Sequence, residues 1–148
     1  MIFLDANVFL RYLVQPTTPA TQAMYQAATQ LFEAVERGDE EVTTSEAVVA
    51  EVAFVMSSPR QYGLPPTDVA TYLVPILRLT NLRLPRGQRR LWLRALDIWT
   101  AHPRLGFVDA LTVAYAERPG IELATFDTDF DAIAGLMRWH PPTGDGVT

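Results

Sequence analysis

The chain opens with the stretch Met1-Ile2-Phe3-Leu4-Asp5, which indicates the fold class. Four consecutive apolar residues without alternation are typical of a short strand buried on both faces of a sheet. Asp5 ends this run. Further strands are predicted at residues 41–44, 82–84 and 122–125, where short runs contain Val, Thr or Leu, and a last edge strand is predicted at residues 137–139.

Helical patterns separate these strand candidates. The helices are predicted at residues 8–14, 21–37, 46–57 (capped by Ser45), 67–79 (capped by Thr67), 88–101, 109–117 and 129–136. Strands that alternate with helices predict an α/β fold, in which helices cover both faces of a parallel sheet. One domain is expected over residues 1–140, and the Pro- and Gly-rich residues 141–148 are expected to form a flexible tail.

Composition excludes several kinds of chemistry. The 148 residues contain no cysteine, which excludes disulfides, thiolate metal sites and cysteine nucleophiles. All twelve basic residues are arginine, so mechanisms that require a lysine are excluded as well. His102 and His140 are poor material for a three-histidine zinc site. No signal peptide or membrane-spanning stretch is predicted, so a cytoplasmic protein is expected.

Charge is distributed unevenly along the chain. The formal net charge is −5, yet residues 69–96 contain no acid and six arginines. Such a segment suits a local positive surface for nucleic acid, with Arg86, Arg89 and Arg90 as candidate RNA contacts. The alternative is that these arginines only solvate a helix and its loop, and the sequence leaves both open.

Two acids follow predicted strands directly. Asp5 ends the first strand, and Asp127 ends the strand at residues 122–125. Ligands of parallel sheets bind beyond the carboxyl ends of the strands, so both acids are expected at the same edge. Each of them also stands where a helix N-cap is expected, and this structural role remains an alternative.

Glu51 lies in a helix whose other residues are mostly apolar. On a helical wheel it falls at the margin of the apolar stripe that contains Val48 and Val55, whereas Glu46 falls on the opposite face. A carboxylate in such surroundings requires a partner or a metal, and burial is expected to raise its pKa, which suits a general base.

Asp109 is the only charged residue in the apolar segment 105–116. Helix capping explains a carboxylate at a helix start, but a ligand is a second explanation. Asp5, Glu51, Asp109 and Asp127 together suggest a carboxylate cluster. Oxygen ligands without histidine or cysteine favour Mg²⁺ or Mn²⁺ over zinc, and such ions serve phosphodiester cleavage.

The motifs that contain these four acids resemble those of a known family. The segments are Ile2-Phe3-Leu4-Asp5-Ala6-Asn7, Val48-Val49-Ala50-Glu51-Val52, Phe107-Val108-Asp109-Ala110-Leu111 and Ala124-Thr125-Phe126-Asp127. Their order and spacing are similar to those of PIN domains, and in particular of VapC toxins of toxin–antitoxin pairs. The resemblance implies a three-layer fold with a central, mostly parallel sheet of four to five strands flanked by helices.

The resemblance also implies an Mg²⁺- or Mn²⁺-dependent endoribonuclease. By motif matching, Asp5, Asp109 and Asp127 are expected to hold the metal, and Glu51 completes the catalytic set. Supporting roles are implied for Asn7, Thr125 and Asp129, although capping explains Asp129 equally well. One departure is Ala6, because family members usually carry Thr or Ser there; the hydroxyl that supports the site is lost.

The implied partners are an RNA substrate, a small VapB-like antitoxin and a second copy of the chain in a homodimer. An antitoxin arginine inserted among the carboxylates would displace the metal. A non-catalytic module of the same fold, whose acidic pocket only receives such an arginine, is the main alternative. Two further alternatives fit less well: a phosphotransfer domain, which needs the absent lysine, and a structure-specific DNA nuclease, which is normally longer.

Overall fold

A computed structural model describes residues 1–125 and 127–138 of the chain. In these residues the helices are α1 (Ala6–Leu13), α2 (Pro19–Arg37), α3 (Glu46–Ser57), α4 (Pro66–Leu77), α5 (Gln88–Ala101), α6 (Phe107–Ala116) and a 3-10 helix (Thr128–Ala132). The strands are β1 (Ile2–Phe3), β2 (Val42–Thr43), β3 (Glu122–Leu123) and β4 (Met137–Arg138). The predictions for Trp139, for the domain end at residue 140 and for the tail 141–148 lie outside the described residues.

The strands pair in parallel, which confirms the α/β character. β1 pairs with β2, with Ile2 opposite Val42, and β3 pairs separately with β4. A further parallel bridge joins Val42 to Leu82, in the segment where a strand was predicted. Because each strand is only two residues long, the described part of the chain contains two small sheets, and the predicted sheet of four to five strands is not found within it.

β1 is less buried than its sequence predicts. Only Leu4, directly after the strand, is buried, whereas Phe3 is 58% exposed and Ile2 38% exposed. β2 covers one edge of β1, but in residues 1–125 and 127–138 no strand pairs with the other edge. The predicted burial on both faces is therefore wrong for Ile2 and Phe3.

The core is formed mainly by the helices. α5 packs against α4 and α6, and it contributes the buried side chains of Trp92, Leu96 and Trp99. The indole nitrogen of Trp99 donates to the carbonyl of Leu105 at 2.8 Å, which holds the loop that leads into α6. The bounds of α5 agree with the prediction, because Gly87 and His102 mark its two ends.

Two helices, α2 and α4, begin earlier than predicted, because each starts at a proline. α2 begins at Pro19, two residues early, because proline suits the first helical position and Thr18 forms a capping box with Thr21. α4 likewise begins at Pro66, so Thr67 lies inside the helix and is not its cap. None of the helices that the structure describes is long and apolar enough to cross a membrane.

Candidate functional site

Asp5 lies at the carboxyl edge of the β1–β2 pair, as predicted. Leu4 donates its amide to the carbonyl of Thr43, and the buried hydroxyl of Thr44 donates to the carbonyl of Leu4 at 2.9 Å. These bonds fix the point at which the chain leaves β1. The carboxylate of Asp5 is exposed and accepts the amide of Ala6 at 2.8 Å, so Asp5 caps α1. One of its two oxygens is engaged in this bond.

The two residues that follow Asp5 in the first motif differ in burial. Asn7 is exposed in the first turn of α1. Ala6 is 5% exposed, and its methyl group packs in the hydrophobic core. A threonine or serine hydroxyl at this position would need a polar partner inside the core. Ala6 therefore suits its apolar surroundings, although it lacks the hydroxyl that family members usually carry at this position.

Glu51 is exposed, contrary to the prediction. The buried face of α3 is formed by Val48, Val49, Val52, Ala53 and Met56. Glu51 lies outside this face, beside the exposed Phe54. Because α3 is apolar nearly all around, the helical wheel did not determine which side faces the core. The carboxylate of Glu51 is exposed to water, so it does not need a partner or a metal to compensate for burial.

Asp109 is half-buried in the first turn of α6. Its Oδ2 accepts the amide of Gly106 at 3.2 Å, which satisfies a donor at the helix start. The positive end of the helix dipole favours the carboxylate here. α6 begins at Phe107, two residues before the predicted start, so Asp109 is a first-turn residue.

α3 and α6 are joined by a hydrogen bond between side chains. The hydroxyl of Tyr115 donates to Oε1 of Glu46 at 3.0 Å. Burial, with this bond as the second cause, raises the pKa of Tyr115 above its ordinary value. The bond fixes the end of α6 against the start of α3, so the helices that carry Glu51 and Asp109 are packed together.

Thr125, Asp127 and Asp129 are linked by local hydrogen bonds. The amide of Asp127 donates to the Thr125 hydroxyl at 3.1 Å, and the amide of Asp129 donates to Oδ1 of Asp127 at 2.8 Å. Asp127 thereby caps the 3-10 helix, and both aspartates are exposed. The capping role that the sequence left open for Asp127 is present. The Thr125 hydroxyl accepts a backbone amide of the same segment, and its supporting role at a metal site stays a prediction.

The structure does not bring the four acids into one cluster. Within residues 1–125 and 127–138, no three acidic or histidine side chains lie close enough to share a metal ion. The donor set suits Mg²⁺ chemically, because it consists of carboxylate oxygens. Its arrangement here does not fit a bound ion, since the described carboxylates do not lie close enough together to share one.

Arg89, one of the predicted RNA contacts, has a structural role in the fold. Its Nε donates to the carbonyl of Leu77 at 2.7 Å, and its Nη2 donates to the carbonyls of Leu79 and Leu82. Leu77 ends α4, where carbonyls lack partners within the helix. The planar guanidinium therefore ties the start of α5 to the end of α4.

The other two predicted RNA contacts, Arg86 and Arg90, are exposed at the start of α5. They line a cleft of about 980 Å³ between α5 and α6, together with Arg94 and Arg118. Sequence reasoning did not assign a role to Arg94 and Arg118. A signal for Arg94 was present, because Arg90 and Arg94 are four residues apart in α5, which is the spacing of one helix face. Arg118 follows α6 and gave no such signal.

The comparison with protein families gives one match. The family model described as PIN domain matches residues 2–136, which is most of the chain and includes all four acids. No curated protein matches the chain.

Proposed function

Because the chain belongs to the PIN domain family, whose members are generally metal-dependent nucleases, we propose that it is a VapC-like endoribonuclease that requires Mg²⁺ or Mn²⁺. The match over residues 2–136 is the observation that carries this proposal. The positions of Asp5, at the carboxyl edge of a parallel strand pair, and of Asp109, at a helix start, support it.

The proposed ligands of the metal are Asp5, Asp109 and Asp127. A divalent ion held by carboxylates supplies charge stabilisation and an acidified water for phosphodiester hydrolysis. The described arrangement lacks the necessary cluster, so the proposal requires these side chains to approach one another when an ion binds. The open edge of β1 offers a place for β3, and parallel pairing there would bring Asp127 to the edge that carries Asp5.

Glu51 is proposed as the fourth catalytic residue on the strength of its motif alone. Its exposure removes the original reason for a general base, which was desolvation by apolar neighbours. An exposed carboxylate can still orient a water molecule by accepting its hydrogen bond. Asn7, Thr125 and Asp129 are proposed to support the neighbouring carboxylates.

A small VapB-like antitoxin is the proposed protein partner, and a homodimer the proposed assembly. An arginine from the antitoxin would form paired hydrogen bonds with the carboxylates and neutralise the site. The exposed positions of Asp5, Glu51 and Asp127 leave these carboxylates accessible to such a residue.

Cleavage of RNA by the parent and by Asp109→Asn tests the proposal. The asparagine oxygen still accepts the amide of Gly106, so the start of α6 is preserved. With Mn²⁺ we expect the variant to lose activity by about 100-fold or more, since even residues that only support metal ligands cost 10–100-fold. EDTA should abolish cleavage by the parent.

A matched control is Asp68→Asn, which changes an exposed aspartate in the first turn of α4. Its activity should equal that of the parent. Cleavage that persists in EDTA, or an Asp109→Asn variant as active as the control, would show that the proposed metal chemistry is wrong.

A second function is favoured by the dispersed carboxylates. If the acids never gather around a metal, the chain is a non-catalytic PIN module whose acidic surface receives a partner's arginine. In that case the parent cleaves no RNA with Mn²⁺ but binds an arginine-containing peptide, and Asp5→Asn weakens this binding.

A further inference from the structure

The cleft between α5 and α6 has a charge opposite to that of the whole chain. It is lined by five arginines and one carboxylate, namely Arg86, Arg89, Arg90, Arg94, Arg118 and Glu117. The formal charge of this lining is therefore +4, whereas the chain has a net charge of −5. Such a concentration of like charge in a concave surface focuses the field and attracts anions.

The five arginines differ in their partners. Arg89 binds backbone carbonyls, as described above. Arg94 is held by Glu117, with Nε–Oε1 and Nη2–Oε2 distances of 2.7 and 3.0 Å, and by Asp97 at 2.6 Å. The side-chain hydrogen bonds to Glu117 are the main cause that raises the pKa of Arg94.

Arg86, Arg90 and Arg118 form no ion pair with any carboxylate in the described part of the chain. Arg86 and Arg90 are exposed. Arg118 is also exposed, and its guanidinium lies over the ring of Tyr115, 5.2 Å from the centroid. Three unpaired guanidinium groups that converge on one cleft repel each other, and an anionic ligand would relieve this repulsion.

The start of α5 contributes to the same field. Gly87 is the N-cap, with φ of 86°, and it has no side chain to accept the first amides of the helix. A Cβ placed on Gly87 would have no heavy atom within 4 Å, so the surface beside Gly87 is open. The positive end of the helix dipole thus adds to the charge of the arginines.

We propose that this cleft binds the phosphodiester backbone of single-stranded RNA, with Arg86, Arg90 and Arg118 as the phosphate contacts. The proposal rests on the function proposed above. Guanidinium groups pair with phosphate through two parallel hydrogen bonds, which an ammonium group cannot do. Arg118 follows the end of α6 and Asp109 lies at its start, so this phosphate contact lies roughly 13 Å along the helix from one of the proposed metal ligands.

Glu117 limits the affinity of the cleft. Its carboxylate holds Arg94 and repels a phosphate that approaches the same wall. Removal of this charge ends the repulsion and leaves Asp97 as the remaining ion-pair partner of Arg94 in the described residues. The chain therefore offers variants that change RNA affinity in opposite directions.

The test measures binding of a labelled single-stranded RNA to the full chain in EDTA, where cleavage does not interfere. The double variant Arg86→Gln/Arg90→Gln should bind about tenfold more weakly at low salt. Its slope of log affinity against log salt should fall in magnitude by about 1.4, which corresponds to two phosphates. Glu117→Gln should bind more tightly than the parent.

The matched control is Arg37→Gln/Arg60→Gln, which removes the same charge from exposed positions outside the cleft. A cleft variant with the affinity and salt slope of the control would overturn the proposal. So would equal binding of an acidic peptide and of RNA, because the cleft would then be a general anion site. Thermal melting verifies that the variants are folded.

Cleavage with Mn²⁺ separates this inference from the proposed function. If the parent does not cleave RNA but the cleft variant loses binding, only the nuclease proposal fails. If the parent cleaves RNA and the cleft variant binds as the control does, only the cleft proposal fails.

Discussion

Replacement of Arg89 by methionine should destabilise the fold, although an arginine near a helix start is usually dispensable. Methionine keeps the apolar stem but removes three hydrogen bonds, to the carbonyls of Leu77, Leu79 and Leu82. A hydrogen bond to a charged group contributes about 1.5–3 kcal/mol net. Two of the three share Nη2, and water reaches the half-buried site, so the sum must be discounted.

The expected loss is about 2–4 kcal/mol in the free energy of unfolding. For a domain of this size each kcal/mol lowers the melting temperature by about 2–4 °C, which predicts a shift of roughly 4–16 °C. Arg89→Lys keeps the charge but not the planar fork, so about half of the loss should remain. Urea denaturation followed by circular dichroism measures these differences.

The matched control is Arg90→Met, one residue along the same helix. Arg90 is exposed and has no ion-pair partner in the described residues, so the change should lie within about 0.5 kcal/mol of the parent. If Arg89→Met and Arg90→Met unfold at the same urea concentration, the tie between α4 and α5 does not stabilise the protein, and the reasoning is refuted.

Two further substitutions test polar contacts between elements. Tyr115→Phe should cost about 1–2 kcal/mol through loss of the bond to Glu46. Because the folded state raises the pKa of Tyr115, the stabilisation that its hydroxyl provides is complete below about pH 10 and disappears as the pH rises through the raised pKa. The free energy of unfolding should therefore fall less steeply at alkaline pH in Tyr115→Phe than in the parent. The same dependence on pH in both proteins contradicts this. Thr44→Val should lower the free energy of unfolding by about 1 kcal/mol, because the buried carbonyl of Leu4 loses its donor. Thr71→Val, at an exposed helix position, should lower it by less. Chemical denaturation measures both. Equal losses would mean that the Thr44 bond adds nothing.

Amphipathic helices with clear end signals were predictable from the sequence. α5 has both an amphipathic pattern and clear signals at its ends, and α3 begins after the predicted cap Ser45. The capping roles of Asp5 and Asp127 were also foreseen as alternatives. Local hydrogen bonding decides these features, so a short window of sequence is sufficient.

Features that depend on distant segments were not predictable. The wheel of α3 is apolar on most sides, so only its packing against other helices shows that Glu51 faces outward. The partners of Arg89 are carbonyls up to twelve residues earlier, and sequence does not reveal a backbone acceptor. The burial of Ile2 and Phe3 depends on whether a second strand covers β1, which their own apolar character does not determine.

In the part of the chain that the structure describes, no strand covers one side of β1, and this has a consequence for handling the protein. Exposed strand edges serve as templates on which another chain adds a strand, and proteins usually protect them with charges, proline or a bulge. β1 has none of these, because its residues are Ile2 and Phe3. Copies of the chain are therefore expected to aggregate through this edge at high concentration. A ligand that brought β3 into pairing with this edge of β1 would therefore reduce aggregation.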